Sequence, residues 1–283
     1  MSQPPSAKSQ PSSTNQHRDL KHQHTDAENH NHGPGHWFEA MADHMGQAYL
    51  RYSFTKGTEQ EVAFLTEALG LVAGERVLDV GCGPGRHSHA LGQRGMEVLG
   101  VDISARFVEL ANQVAAPGVS FQRLDARELP FNEEFDAVIS LCQGAFGLQG
   151  DTSSNADQAA ADANPVDPDF PVLAGMVRAL RPGGRIAFSA FSAYFQVRYL
   201  EDQDSFNAAT GVNHETTAIR SEDGRDVEVD LWTSCFTPRE LRLMVQAVGL
   251  VDVKIYGVTP GVYGTNPPGL DHPEFLVIAT KPA

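Results

Sequence analysis

The chain has 283 residues, 41% of them hydrophobic, and a formal net charge of −15, enough for one large domain with additions. That charge opposes binding to phosphate backbones and anionic bilayers, so nucleic acid and membrane are excluded as expected partners; a small molecule or a cationic partner is left. No apolar run approaches the roughly 20 residues that span a bilayer, no apolar stretch opens the chain as a signal peptide would, and Cys82, Cys142 and Cys235 show neither a disulfide framework nor paired metal spacing; a cytoplasmic protein without a metal site is expected.

Residues 1–36 are rich in Ser, Gln, Pro, Asn and His. Such a segment buries too little apolar surface to offset its ordering entropy, so a disordered tail is expected, with His22, His24, His30 and His32 solvated within it. Residues 37–51 are apolar and helix-favouring and begin a cap over 37–58. Thr58 with Glu61 three residues on reads as a capping box, and Val62, Leu65 and Leu69 then share one helix face. From residue 76 strands and helices alternate: "RVLDV", a glycine turn and the helix "RHSHALGQRG"; "EVLGVD" and a helix from Ser104; then the strands "VSFQRL" and "FDAVISL". Residues 147–169 have no periodicity and are expected to be a flexible surface insertion. A helix from Phe170 stops at Leu180, before Pro182 and two glycines, and leads into "RIAFSAF". This β-α alternation predicts a parallel, doubly wound sheet. Residues 192–236 break the pattern, with a hairpin signal at Asp223-Gly224 ahead of the alternating "VEVDLW". Thr237, Pro238 and Glu240 open another helix, ended by Gly249, and "VDVKIYGV" and "EFLVIAT" are the closing strands.

Parallel sheets bind ligands at the carboxyl ends of their strands. There the first strand runs into Gly81-Cys82-Gly83-Pro84-Gly85. Alternate glycines allow positive φ and close approach to bare backbone. A dinucleotide fingerprint would place its third glycine where Arg86 stands, and Asp79, two residues before the turn, would repel a pyrophosphate but suit an ammonium or sulfonium. Asp102 ends the second strand, where a carboxylate can accept both hydroxyls of a ribose. Asp125 ends the third, where it can meet an adenine amino group. A cationic amino-acid end, a ribose and an adenine together describe S-adenosylmethionine.

"VLDVGCGPGRHS", "VLGVDIS", "RLDAREL", "FDAVISL" and "ALRPGGRI" follow one another in the order and spacing of the class I S-adenosylmethionine-dependent methyltransferases, which the chain resembles over residues 75–190. The resemblance implies an α/β fold: a Rossmann-like, doubly wound, seven-stranded and mostly parallel sheet with its last strand antiparallel. One domain, 37–283, would then carry the N-terminal helical cap, 37–58, and a substrate-side β-hairpin insertion, 192–236. It further implies that Gly81, Gly83 and Gly85 lie under the methionine part, with Asp79 near its ammonium. Asp102 would take the ribose, Ile103, Asp125 and Ala126 would meet the adenine, and Leu141 would lie near the sulfonium. Tyr49, Arg51 and Tyr52 would fold over from the cap. The activity implied is methyl transfer to a small-molecule acceptor by a monomer or homodimer. His214 and Tyr194 in the insertion are the candidates for a base or orienting group, while His87 and His89 read as structural. The "NPPG" at 266–269 falls after the sixth strand and reads as turn chemistry. A protein that binds the cofactor or its product without turnover, or a nucleotide-dependent oxidoreductase, is the alternative reading.

Overall fold

The computed structural model describes residues 36–142, 144–148 and 167–283. The tail 1–35, with its histidine pairs, and most of the 147–169 insertion lie outside the described residues. Five strands form a parallel sheet in the order β3-β2-β1-β4-β5: β1 Arg76–Val80, β2 Glu97–Asp102, β3 Val119–Arg123, β4 Phe135–Ser140 and β5 Leu180–Ser192. β10 (Glu274–Thr280) then pairs antiparallel with both β5 and β9 (Val251–Val258). Among these strands β10 alone runs against the others, the reversed last strand that the resemblance implies.

Its central strands read as unbroken apolar runs because both faces are covered. Leu78, Val80, Val138, Ile186 and Phe188 pack on one side with helices α5 (Phe170–Ala179) and α7 (Pro238–Ala247). Val77, Ala137, Ile139, Leu276 and Ile278 pack on the other, toward α2 (Thr58–Ala68) and α3 (Arg86–Gly92). The helix α4 (Ala105–Gln113) joins β2 to β3, its N-cap Ser104 accepting from Phe107 N at 3.1 Å. β1 lies between β2 and β4, so the strand order reverses beside it and leaves a crevice at the carboxyl ends.

The cap departs from the expected single helix. α1 spans Trp37–Met45 and two 3₁₀ turns, Gly46–Arg51 and Ser53–Gly57, follow it. The break falls at Gly46 (φ 45°), where the Glu222 carboxylate occupies the space a Cβ would need. The expected capping box at Thr58 and Glu61 does not form. Gly57 is the N-cap without a side-chain bond, Thr58 donates to Thr55 O at 2.8 Å, and Glu61 turns inward, 0% exposed, because Arg86 and His87 hold its carboxylate. His36, assigned above to the tail, instead caps α1: its Nδ1 accepts from Phe38 N and Glu39 closes a capping box.

The insertion begins with a short helix, α6 (Ala193–Arg198), and continues as an antiparallel sheet of β6 (Ser205–Asn207), β7 (Val212–Arg220) and β8 (Asp226–Phe236). Phe191 and Ser192 of β5 pair in parallel with Cys235 and Phe236, which attaches this sheet to the main one. The turn at Asp223-Gly224 forms the tip, with Gly224 at φ 85°. Thr237 and Glu240 close the expected capping box on α7. Among the described residues no helix is long and apolar enough to cross a membrane.

Candidate functional site

All three glycines of the turn after β1 adopt positive φ, 72° at Gly81, 55° at Gly83 and 84° at Gly85, a region that side chains strain to enter. At Gly81 a side chain would also overlap the backbone of Gly144, so the loop after β4 lies directly on the turn. Asp102, 4% exposed, binds the turn from beneath. Its Oδ2 accepts from Gly83 N and its Oδ1 from Ser104 N, both at 2.8 Å. Burial pushes its carboxyl up to about 6, and the two N–H bonds hold it from rising further. Asp79, 1% exposed, accepts from Ser88 Oγ at 2.6 Å. Its carboxyl is also raised by burial, against the opposing charges of His87 and Arg86.

A narrow cavity of about 30 Å³ opens beside this turn. Its sheet wall runs from Gly81 through Asp102 and Ile103 to Leu124, Asp125 and Ala126. The cap closes it with His36 and Phe38, and the loop after β4 adds Ala145 and Leu148. His36 Nε2 lies 3.1 Å from Leu148 O, and since Nδ1 accepts, Nε2 carries the proton of a neutral ring. Burial and the nearby Arg127 lower its pKa, outweighing Asp125 and Glu39. Asp125 accepts from Arg127 N and Nε, both 2.9 Å, and these bonds keep its carboxyl below the usual range. Apolar walls, one buried carboxylate and one acid at the rim suit a flat ring joined to a ribose, so the residues present fit an adenosine group.

Next to the turn lies a buried ion-pair network. Arg86 Nη1 reaches Glu61 Oε2 at 2.6 Å and Thr58 Oγ1 at 2.9 Å, and Nη2 lies 2.7 Å from Cys142 Sγ. His87 Nε2 lies 2.7 Å from the same Glu61 oxygen, and Gly261 N donates to Oε1 at 2.7 Å. Burial alone would raise Glu61, but its bonds and charge pairing with His87 and Arg86 take it down to about 2. Atoms of Glu61, His87 and Cys142 that could ligate a metal lie within 4.8 Å of one another. The Arg86 guanidinium already lies among them and neutralises the carboxylate, so the cluster works as an ion pair that ties α2, α3, the β4 end and the 259–263 loop together.

The structure brings Gly81, Asp102, Ile103, Asp125 and Ala126 to one cavity wall. Asp79, Gly83 and Gly85 are not in its lining: Asp79 is buried against Ser88, Gly83 lies nearest Tyr49 and Phe107, and Gly85 nearest Phe121 and His89. Leu141 is packed in the core with Cys82 and Ile139, and residues after it, Gly144 to Leu148, reach the cavity instead. Tyr52 is not over the turn: its hydroxyl accepts from Arg220 N at 3.1 Å and its ring stacks on Phe54. Tyr49 is the cap tyrosine nearest Gly83, packed on Phe107. Tyr194 lines a separate groove. His214 stacks on Trp232 and bonds Asp230 Oδ1 at 3.0 Å and is not among the residues that line the cavity. His87 and His89 are structural in position, His89 standing edge-on to Phe121. Sequence reading missed Phe38, Leu124, Ala145 and Leu148, which carry no chemistry of their own, and His36, whose only signal was Glu39 three residues on.

Residues 77–166 match a family model described as a methyltransferase domain. The chain is 36% identical to a demethylmenaquinone methyltransferase of Clavibacter sepedonicus over 54% of its own length and 57% of the relative's; it spans about half the length of the curated relatives it matches. Among solved structures, the CcbJ methyltransferase from Streptomyces caelestis superposes with a TM-score of 0.60 at 20% identity, over 80% of this chain and 90% of that one. An S-adenosylmethionine-dependent methyltransferase from Clostridium acetobutylicum gives 0.59 at 14% identity, over 87% and 98%. These two likenesses establish the fold.

Proposed function

We propose that the chain is a class I S-adenosylmethionine-dependent methyltransferase and that it transfers a methyl group to a small-molecule acceptor, acting in the cytosol as a monomer or homodimer. The observation that carries this reading is Asp102, a buried carboxylate pinned by Gly83 N and Ser104 N in the wall of a cavity that Ile103, Leu124, Asp125 and Ala126 also line. When bound, the cofactor supplies an electrophilic methyl on a sulfonium, and that is the hard part of the chemistry. The chain's contribution is alignment and the exclusion of water. Asp102 fixes the ribose end. Ile103 and Leu124 provide apolar surface for the ring, with Asp125 at its rim. The glycine turn leaves backbone exposed for the amino-acid end, above the buried charge of Asp79. Phe38 and His36 close the cavity from the cap.

Calorimetric titration with S-adenosylmethionine, S-adenosylhomocysteine and NADH tests the reading. The two adenosyl ligands should bind in the micromolar range and NADH should not, and Asp102→Ala should weaken binding by about a hundredfold, the effect of losing charge-assisted hydrogen bonds to two hydroxyls. A folded protein that binds neither adenosyl ligand would refute it.

A further inference from the structure

The hairpin sheet carries a second cluster of groups that the cofactor site does not use. In the antiparallel β6-β7 pair Phe206 stands opposite Asn213. Side chains directly opposite share a face, as do residues two apart, so Phe206, Asn213 and Glu215 point to one side. Asp204 continues the same row, and its charge acts on Glu215. Three acids therefore gather at this end of the sheet: Asp204, Glu215 and Glu201. Asn213 is 2% exposed, and its Oδ1 is buried with no hydrogen-bond partner. Asp204 Oδ1 is likewise buried and unpartnered. Two buried acceptor oxygens beside a half-buried carboxylate is a costly arrangement unless a donor meets them.

Phe206 at the same time forms one wall of an open groove, facing Tyr194, Val197 and Leu270. Tyr194, Val197 and Leu270 are 42%, 56% and 55% exposed, large apolar groups with a face left to solvent. The one cation in that groove, Arg198, pairs with Asp271 at 3.1 Å. The helix bearing Tyr194 and Val197 starts where β5 ends, at the carboxyl edge of the sheet that also holds the cofactor cavity.

We infer that this groove is the acceptor subsite, and that it takes an amphipathic small molecule whose ammonium group lies on Asp204, Glu215 and Asn213 while its apolar body lies along Phe206, Tyr194 and Val197. The ammonium supplies the donors that the buried oxygens lack and neutralises the packed carboxylates, whose mutual repulsion and burial already raise Glu215. A neutral hydroxyl supplies one donor and no charge. The inference rests on the methyl-transfer reading, since it names the class of molecule that would accept the methyl.

The test is binding of phenethylamine, an ammonium at neutral pH, against its neutral isostere phenethyl alcohol, by calorimetry on the full chain saturated with S-adenosylhomocysteine. The ammonium should bind at least about tenfold more tightly, the scale of charge-assisted hydrogen bonds. The double variant Asp204→Asn with Glu215→Gln should erase that preference, and Phe206→Ala should weaken both probes together. S-adenosylhomocysteine affinity should be unchanged in both variants, which also reports that they fold. Equal affinity for the two probes in the parent protein, a preference that survives the double variant, or binding of neither probe would overturn the inference. Failure of S-adenosylhomocysteine itself to bind would strike the methyl-transfer reading instead.

Discussion

Under the proposed function Asp102 holds the ribose of the cofactor, and its environment would make that binding depend on pH. Its carboxyl is raised to about 6 by burial, so near that pH part of the folded protein holds it protonated. A ribose hydroxyl bonds more strongly to the ionised form. Affinity for S-adenosylhomocysteine should therefore rise as pH increases through about 6, and Asp102→Asn should flatten this part of the profile in titrations run at several pH values. Glu61 has the opposite sign. Its folded pKa of about 2 lies below the ordinary 4.5, so its stabilising effect is complete above 4.5 and is lost as pH falls toward 2. Glu61→Ala should lower unfolding free energy by about 3–5 kcal/mol at neutral pH, because it strands the buried Arg86 charge; urea denaturation of parent and variant, repeated in acid, checks both statements.

The cap and the hairpin are two elements that neither stands nor folds into place alone. α1 packs Ala42 and Met45 against Phe107, Leu110 and Ile219, joining cap, main domain and hairpin in one cluster. The hairpin tip adds a polar clasp: Glu222 Oε1 accepts from Gln47 N at 2.8 Å and pairs with Arg106 at 2.9 Å. Gly46 is the only residue type that leaves room for that carboxylate. Since Phe38 of this cap roofs the adenosine cavity, loosening the clasp should loosen the roof. Glu222→Ala is expected to speed amide hydrogen exchange across residues 37–57 several-fold while leaving β1 and β4 unchanged, the signature of a local rather than global opening. Uniform acceleration in both regions would show that the clasp supports the whole domain.

At the scale of the whole molecule, a cofactor held as proposed would touch the cap, β1, β2, the residues after β3 and the loop after β4, parts distant in the chain, so it should stabilise the fold as a unit. Saturation at a hundredfold over the dissociation constant contributes about 2.7 kcal/mol, which for a domain of this size raises the melting temperature by roughly 5–10 °C; calorimetric melts with S-adenosylhomocysteine should show this and melts with NADH should not. The parallel doubly wound sheet, the glycine turn and the acids at or just after the strand ends were legible in the sequence alone. Unbroken apolar runs between turn signals, helix caps and alternate glycines are local signals, and local signals survive in a one-dimensional string. Asp102 and Asp125 could be placed because each ends a strand, and topology fixes where strand ends meet. Tertiary structure alone decided the rest. Thr58-x-x-Glu61 has the spacing of a capping box, but a buried arginine 25 residues away claimed the carboxylate. Residues 37–51 read as one helix until Glu222, from a hairpin far along the chain, met Gly46. Tyr52 and His214 are not in the cavity's lining, because contacts with or within the hairpin, not residue type, hold them. Cross-strand pairing alone put Phe206, Asn213 and Glu215 on one side of the hairpin sheet. Contacts between segments far apart in the chain leave no periodic trace, which is why the roof of the cavity and the separate groove at Tyr194 were invisible until the chain was folded.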